Sequence, residues 1–267
     1  MLHRIRLPLL GLGCLTAAML IGAESGDDLA RLARAEPLLP PNGEHLLGTN
    51  AIGQDIFWRM LAGGRHTLLI AVPSALVAVL LGGLLGVLSA QRRGPVDTAL
   101  VSIANAVDAL PFYLWAAVMV VVLSPSIWAV PLTITGFYWI GVFRIVRMEA
   151  LRLEATGFVQ AARLLGASRF KILSQHLLPA VGYLLLVQTG LLVAAAVKVE
   201  VGISFLGLSG SDGISWGTML AEASADLTLG HPWNAVGAGS ALLCFLYLVN
   251  SITDRLQSAL RERAHAR

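Results

Sequence analysis

From Thr67 to Ala90 the chain runs through 24 residues without one charged side chain. As a helix, that run spans about 36 Å, more than the roughly 30 Å hydrocarbon core of a bilayer. In lipid every backbone amide must be satisfied within its own segment, so a spanning helix is the solution such a run favours. Other stretches share its character. Hydrophobic residues fill 56% of the 267 positions and charged residues 13%, about half the charge of a soluble domain. This excludes an ordinary cytosolic enzyme, a disordered chain and a nucleic-acid-binding domain. A formal net charge of +3 is too small for a nucleic-acid surface. Cys14 and Cys244 lie in apolar runs far apart, with no CxxC spacing, and are expected to be small buried hydrophobes.

Six spans are expected in an all-α integral membrane protein. Leu7 to Ala23 is the first, with Arg4 and Arg6 before it and Glu24, Asp27 and Asp28 after. Ile21-Gly22-Ala23 resembles a small-residue cleavage site, so a removed signal peptide is the alternative for this segment. Thr67 to Ala90 is the second, and its Gly82-x3-Gly86 spacing permits close helix packing. The third is expected from about Leu110 to Leu123, with Asp97 to Asp108 as an interfacial lead-in, because Asp108 and Pro111 interrupt the run. The fourth runs from Ile127 to about Phe143 after a Ser124-Pro125-Ser126 turn, the fifth from Pro179 to Val197, and the sixth from Asn234 to about Thr253. The chain then divides into residues 1–66, a first span plus an external segment, and residues 67–267, a transmembrane domain. The second half of the external segment, from Leu46, is expected to form a short interfacial helix.

Lys and Arg placement orients the spans. With the N-terminus inside, fourteen fall in inner segments and five in outer ones. Both termini and the loop at about 144–178 are therefore expected in the cytoplasm. Within that loop, Met148 to Gln175 reads as two short amphipathic helices broken at Gly157 and Gly166. Ala161 and Ala162 let a partner backbone approach closely, and Gly166 lets the chain turn sharply. Such a helix suits docking into a groove of another protein; resting on anionic lipid through its arginines is the alternative.

The loop is similar to the EAA signature of permease subunits of binding-protein-dependent ABC importers, EAA-x3-G-x9-I-x-L-P. Here it reads Gln160-Ala161-Ala162, three residues, Gly166, nine residues, then His176-Leu177-Leu178-Pro179. Gln160 and His176 depart from the pattern, and the spacing is complete. Further segments resemble one branch, the DppC-like permeases of dipeptide, oligopeptide and nickel importers. His45-Leu46-Leu47-Gly48-Thr49-Asn50 through Gly53-Gln54-Asp55 to Arg59 resembles H-x-L-G-T-D-x-x-G-R-D-x-x-x-R, with Asn50 and Gln54 differing. Arg144 to Arg147 resembles the branch's exit from the fourth span. Glu200, Ser204 to Leu208 and Ser215-Trp216-Gly217-Thr218-Met219-Leu220 resemble its external segment. Asn250 and Asp254 resemble the close of its sixth span, with Thr253 in a glycine position. Asn105 stands where a basic residue is usual, three before Asp108.

The resemblance implies a type I importer permease fold (MetI-like) in the bacterial inner membrane, and physical coupling in place of catalysis. Gln160, Ala161, Ala162, Gly166 and Arg169 would dock on a cytoplasmic ATPase. Asp55, Arg59, Asp108, Arg144, Arg147, Pro179, Glu200, Trp216, Asn250 and Asp254 are structural or gate candidates. The implied partners are a DppB-like second permease, two ABC ATPase subunits, an extracytoplasmic solute-binding protein and membrane lipid, with no nucleic acid. ATP and Mg would be used by the ATPase subunits and no cofactor by this chain, which contains no G-x-x-x-x-G-K-[ST] phosphate loop. Cargo within the branch includes small peptides, nickel or other metal chelates and opine-like solutes.

Two other classes fit parts of the sequence. An intramembrane serine protease would use Ser209, in Gly207-Leu208-Ser209-Gly210, with His231 as base, yet both fall in loop sequence outside the spans. A self-contained channel or secondary transporter would place ionisable residues inside spans, where only Asp108 is a candidate, at a cytoplasmic end. The six histidines are scattered without metal-ligand spacing, so no metal site is expected. Trp115, Trp128, Trp139 and Trp233 read as interface anchors. Glu200 has two readings: an ion pair with Lys198 or Arg65, or a brace for the Ser204–Leu208 turn.

Overall fold

The computed structural model describes residues 8–20, 35–123, 126–172, 175, 177–209 and 213–265. All the regular elements among them are helices: α1 (Pro8–Leu20), α2 (Ile56–Arg92), α3 (Pro95–Asp108), α4 (Phe112–Leu123), α5 (Ala129–Glu154), α6 (Gly157–Leu164), α7 (Arg169–Ile172), α8 (Leu178–Phe205), α9 (Trp216–Thr228) and α10 (Trp233–His265). Four are long and apolar enough to cross a membrane: α2, α5, α8 and the Trp233–Ala259 part of α10. α3 and α4 are bent by 93° and supply a fifth when taken as one broken span. The bend falls at Ala109–Pro111, where the sequence places the end of the lead-in, and the lead-in itself is helical. α1 is apolar but shorter than a span over its described residues. The cleavage-like Ile21-Gly22-Ala23, the acidic residues after it, Ser124, Pro125 and His176 lie outside the described residues.

α2 is the central element, packing along α5 and against α8, α9 and α10. Glycine makes this possible. A Cβ on Gly82 would meet the Trp139 carbonyl oxygen at 2.4 Å, and one on Gly86 the Phe143 carbonyl oxygen at 2.8 Å. The two helices thus touch backbone to backbone along one stripe, as the small-residue spacing predicts. Trp115 fills the corresponding space over Gly136 and donates from Nε1 to the Thr133 carbonyl, 3.1 Å. Trp115 and the buried Trp139 are thus packing residues, whereas Trp128 is exposed as an anchor would be.

Several boundaries differ from expectation. Residues 46–55 form turns, not a helix. Gly48 and Gly53 take left-handed φ of 76° and 77°, and the Asn50 side chain accepts from the backbone amides of Ile52 and Gln54. The helix starts at Ile56 and runs unbroken through residues 66 and 67 to Arg92. α5 continues past Phe143 to Glu154, and α8 past Val197 to Phe205. Hydropathy marks where lipid ends; α5 continues because Arg, Met, Glu, Ala and Leu keep good helix propensity beyond that level, and α8 because Glu200, Val201, Ile203 and Ser204 are buried along its extension. Gly157 opens α6 instead of breaking the loop, the break falling at Ala155–Thr156. Cys14 and Cys244 are exposed, because they lie on outward helix faces that meet no core within this chain.

Candidate functional site

The charged end of the bundle carries α6. Its one fully buried side chain, Val159, sits in a small cluster with Ala90, Ala150, Ile172 and Leu177, which plants the helix on the ends of α2, α5 and α8. The C-terminus is closed by a Schellman arrangement. Gly166 has φ of 82°, its amide donates to the Arg163 carbonyl (2.9 Å), and the Ala167 amide donates to the Ala162 carbonyl (3.0 Å). This is the sharp turn that Gly166 predicts. Beneath α6, the Glu154 carboxylate at the end of α5 is 2% exposed. Arg163 Nη2 lies 3.0 Å from one of its oxygens and Arg93 Nη2 3.7 Å from the other. The other face of α6 is open: Phe158, Gln160 and Ala161 are exposed, and Leu164 and Leu165 are each 89% exposed. Exposed leucines on a helix flanked by arginines form a patch that requires a cover. Arg169 opens α7 and Pro179 is the second residue of α8.

Two salt bridges fasten α5 to α3 just above. Arg147 grips Asp97 in a two-point contact, Nε to Oδ1 at 2.6 Å and Nη2 to Oδ2 at 2.7 Å, with Ser89 of α2 donating to the same carboxylate. Arg144 donates to Asp108 (2.7 Å) and to Asn105 (3.1 Å). Asn105 therefore serves as an acceptor where a cation is usual in the resembling branch.

At the opposite end, Asp55 caps α2 by accepting from the amides of Phe57 (2.8 Å) and Trp58 (3.3 Å), and its other oxygen meets His45 Nδ1 at 2.7 Å. The nearly buried Arg59 donates from Nη2 to both carboxylate oxygens of Glu222 on α9, each at 2.6 Å, and from Nη1 to Gln54. Asn234 of α10 donates to Glu222 (3.4 Å) and Asp226 (3.3 Å), so one polar collar ties α2, α9 and α10. Trp216 is wholly buried, its amide donating to Thr67 Oγ1 (3.3 Å) and its Nε1 to the Met60 carbonyl (3.0 Å). Glu200 is also fully buried and accepts from Ser204 (2.7 Å), which favours the brace reading over an ion pair. Asn250 and Asp254 stand exposed on α10, away from both clusters. Asp97, Glu154, Arg163, Glu222 and Asn234 escape a sequence reading; the partners of Asp97 and Glu222 lie 50 and 163 residues away, where nothing local marks them.

Comparison with known proteins adds the deciding observation. The sequence profile of binding-protein-dependent transport system inner membrane components matches residues 78–265, a stretch that contains α6, the arginine pairs and the buried Glu200 and Trp216. The chain belongs to this family. Among its relatives, the dipeptide transport system permease protein DppC of Bacillus subtilis (strain 168) is 32% identical over 239 residues, 88% of this chain and 74% of the relative. The oligopeptide transport system permease protein OppC of the same organism is 33% identical, over 83% of this chain and 72% of its own length. OppC of Haemophilus influenzae (strain ATCC 51907 / DSM 11121 / KW20 / Rd) is 31% identical, over 82% and 70%. As a member of the family the chain is a multi-pass inner-membrane permease subunit of an ABC importer, and not itself an enzyme. Ser209 and His231 accordingly need no catalytic role.

Proposed function

We propose that the chain forms half of the translocation pathway of a peptide importer, with a DppB-like second permease as the other half. Two ABC ATPases that bind ATP and Mg would engage it from the cytoplasm, and an extracytoplasmic binding protein would deliver cargo. In this reading α1 is the first of six spans, the bent α3–α4 pair is the third, and both termini lie in the cytoplasm. The observation that carries it is the α6 face of Phe158, Ala161, Leu164 and Leu165, exposed at the arginine-rich end. ATP-driven closure of the ATPases would push on this face. Because Val159 and Glu154 seat α6 on three spans, the push moves α2, α5 and α8 together and switches the pathway between inward- and outward-open. Gln160, Ala161, Ala162, Gly166 and Arg169 form the contact; the collar of Asp55, Arg59 and Glu222 and the braces of Arg144, Arg147, Glu200 and Trp216 keep the moving bodies rigid. Peptides are favoured as cargo because the relatives named above are di- and oligopeptide permeases. The test is uptake by proteoliposomes holding the four-subunit assembly and its binding protein. ATP-dependent accumulation of a labelled tripeptide, without accumulation of a nickel–histidine chelate, is expected; the reverse preference refutes the peptide assignment.

A further inference from the structure

The end of the bundle that carries α6 holds a cavity of about 450 Å³ lined by Gln91, Arg92, Arg93, Arg163 and the buried Glu154 and Ile172. Glu154 is the one acid among them, and its buried carboxylate is already matched by Arg163 and Arg93 at 3.0 and 3.7 Å. Three guanidinium groups against one carboxylate leave two positive charges in the lining, and the Arg93 and Arg163 side chains remain 65% and 44% exposed. Arg92 and Arg93 lie two and three residues beyond Ala90, with only the uncharged Gln91 between, so the cavity opens at the level where hydrocarbon gives way to headgroups. A basic pocket between helices at that level has the geometry for a lipid phosphate, which guanidinium groups bind in a two-point fashion.

We propose that Arg92, Arg93 and Arg163 bind a phosphate-bearing anion, namely the headgroup of an anionic phospholipid of the cytoplasmic leaflet. This rests on the orientation given under Proposed function. Since Arg163 belongs to α6 and Arg93 follows α2, the bound headgroup clamps the ATPase-facing helix to the central span, and anionic lipid thereby strengthens coupling.

Native mass spectrometry of the full transporter, titrated with phosphatidylglycerol in a phosphatidylcholine background, reads the site directly. At roughly fivefold per arginine near an anionic surface, Arg92→Gln with Arg93→Gln should weaken phosphatidylglycerol retention about 30-fold, and Arg92→Lys with Arg93→Lys should keep it within about fivefold. Should the double variant fail to assemble, Arg92→Gln alone, at an exposed position outside the Glu154 pairs, should cost about fivefold. Equal retention by wild type and glutamine variants overturns the site. Saturation by inorganic phosphate without retained lipid overturns the lipid source. Lipid retained by the permease pair stripped of its ATPases but absent from the full transporter overturns the clamp and assigns the pocket to a protein carboxylate. ATPase co-purification is scored in the same sample: its loss with lipid retained counts against the importer reading and leaves the site standing.

Discussion

Replacing Gly82 by alanine adds one methyl group at the tightest point of the α2–α5 contact. The added Cβ would lie 2.4 Å from the Trp139 carbonyl oxygen, 2.8 Å from Val142 Cβ and 3.0 Å from the Phe143 amide nitrogen. These are atoms of a helix backbone, or fixed to it, so no side chain can swing aside. α5 must retreat by about 1 Å to restore ordinary contact, loosening the whole stripe. Overpacking of this kind costs about 1–3 kcal/mol, and alanine's better helix propensity returns up to about 1 kcal/mol. The net expectation is a loss of about 1–2 kcal/mol, a roughly 5- to 30-fold shift in the folding equilibrium. Gly83 offers an internal comparison, since its Cβ would meet only the movable end of Leu185, at 2.8 Å. Gly182 on α8 has no atom within 4 Å, so Gly182→Ala should be neutral or stabilising by up to about 1 kcal/mol. Reversible unfolding by detergent titration would rank the three. Stability ordered Gly182→Ala, then Gly83→Ala, then Gly82→Ala is expected; Gly82→Ala as stable as Gly182→Ala refutes the packing argument.

Ala161→Trp, on the exposed face of α6, should leave insertion and melting temperature unchanged while lowering ATP-driven uptake at least about tenfold through loss of coupling. Wild-type uptake removes α6 from the docking surface. Asp97→Asn and Arg147→Gln break a pair whose side chains are 21% and 26% exposed; each should cost about 1–2 kcal/mol, between the exposed and buried limits. A double-mutant cycle read by thermal unfolding should show a clear coupling energy, and simple additivity would deny that the pair fastens α3 to α5. Ser209→Ala should preserve transport within about twofold, its cost limited to that of a loop substitution; complete loss of activity in a well-folded variant would return Ser209 to a chemical role.

What the sequence made legible was local. The charge-free run ending at Ala90, the four-residue glycine spacing at 82 and 86, and the turn at Gly166 each act through neighbouring backbone, so their consequences can be read in order along the chain. The break before Pro111 was legible for the same reason. The helix ends were not: apolarity stops near Phe143 and Val197, but helical hydrogen bonding does not depend on apolarity, so α5 and α8 run on. The interfacial helix expected from Leu46 does not form before Ile56, because Gly48, Asn50 and Gly53 impose a succession of turns. The polar clusters were the least legible part. Arg59 stands out in the sequence and its partner Glu222 does not; Arg147 stands out and Asp97 does not. Their pairing depends on how α2, α9, α3 and α5 assemble, which no local pattern encodes. Glu154 does not stand out because an acid two residues after Arg152 in a basic stretch reads as a solvated charge, and only the seat of α6 buries it.

The most direct test of the account is affinity purification of the tagged chain in mild detergent, with the co-purifying subunits identified and counted by mass. Recovery of a second permease and two ATPase subunits with this chain, the ATPases lost when Ala161 is replaced by Trp, is the predicted result. A chain that purifies alone and stable, with no nucleotide-binding partner before or after the substitution, contradicts it.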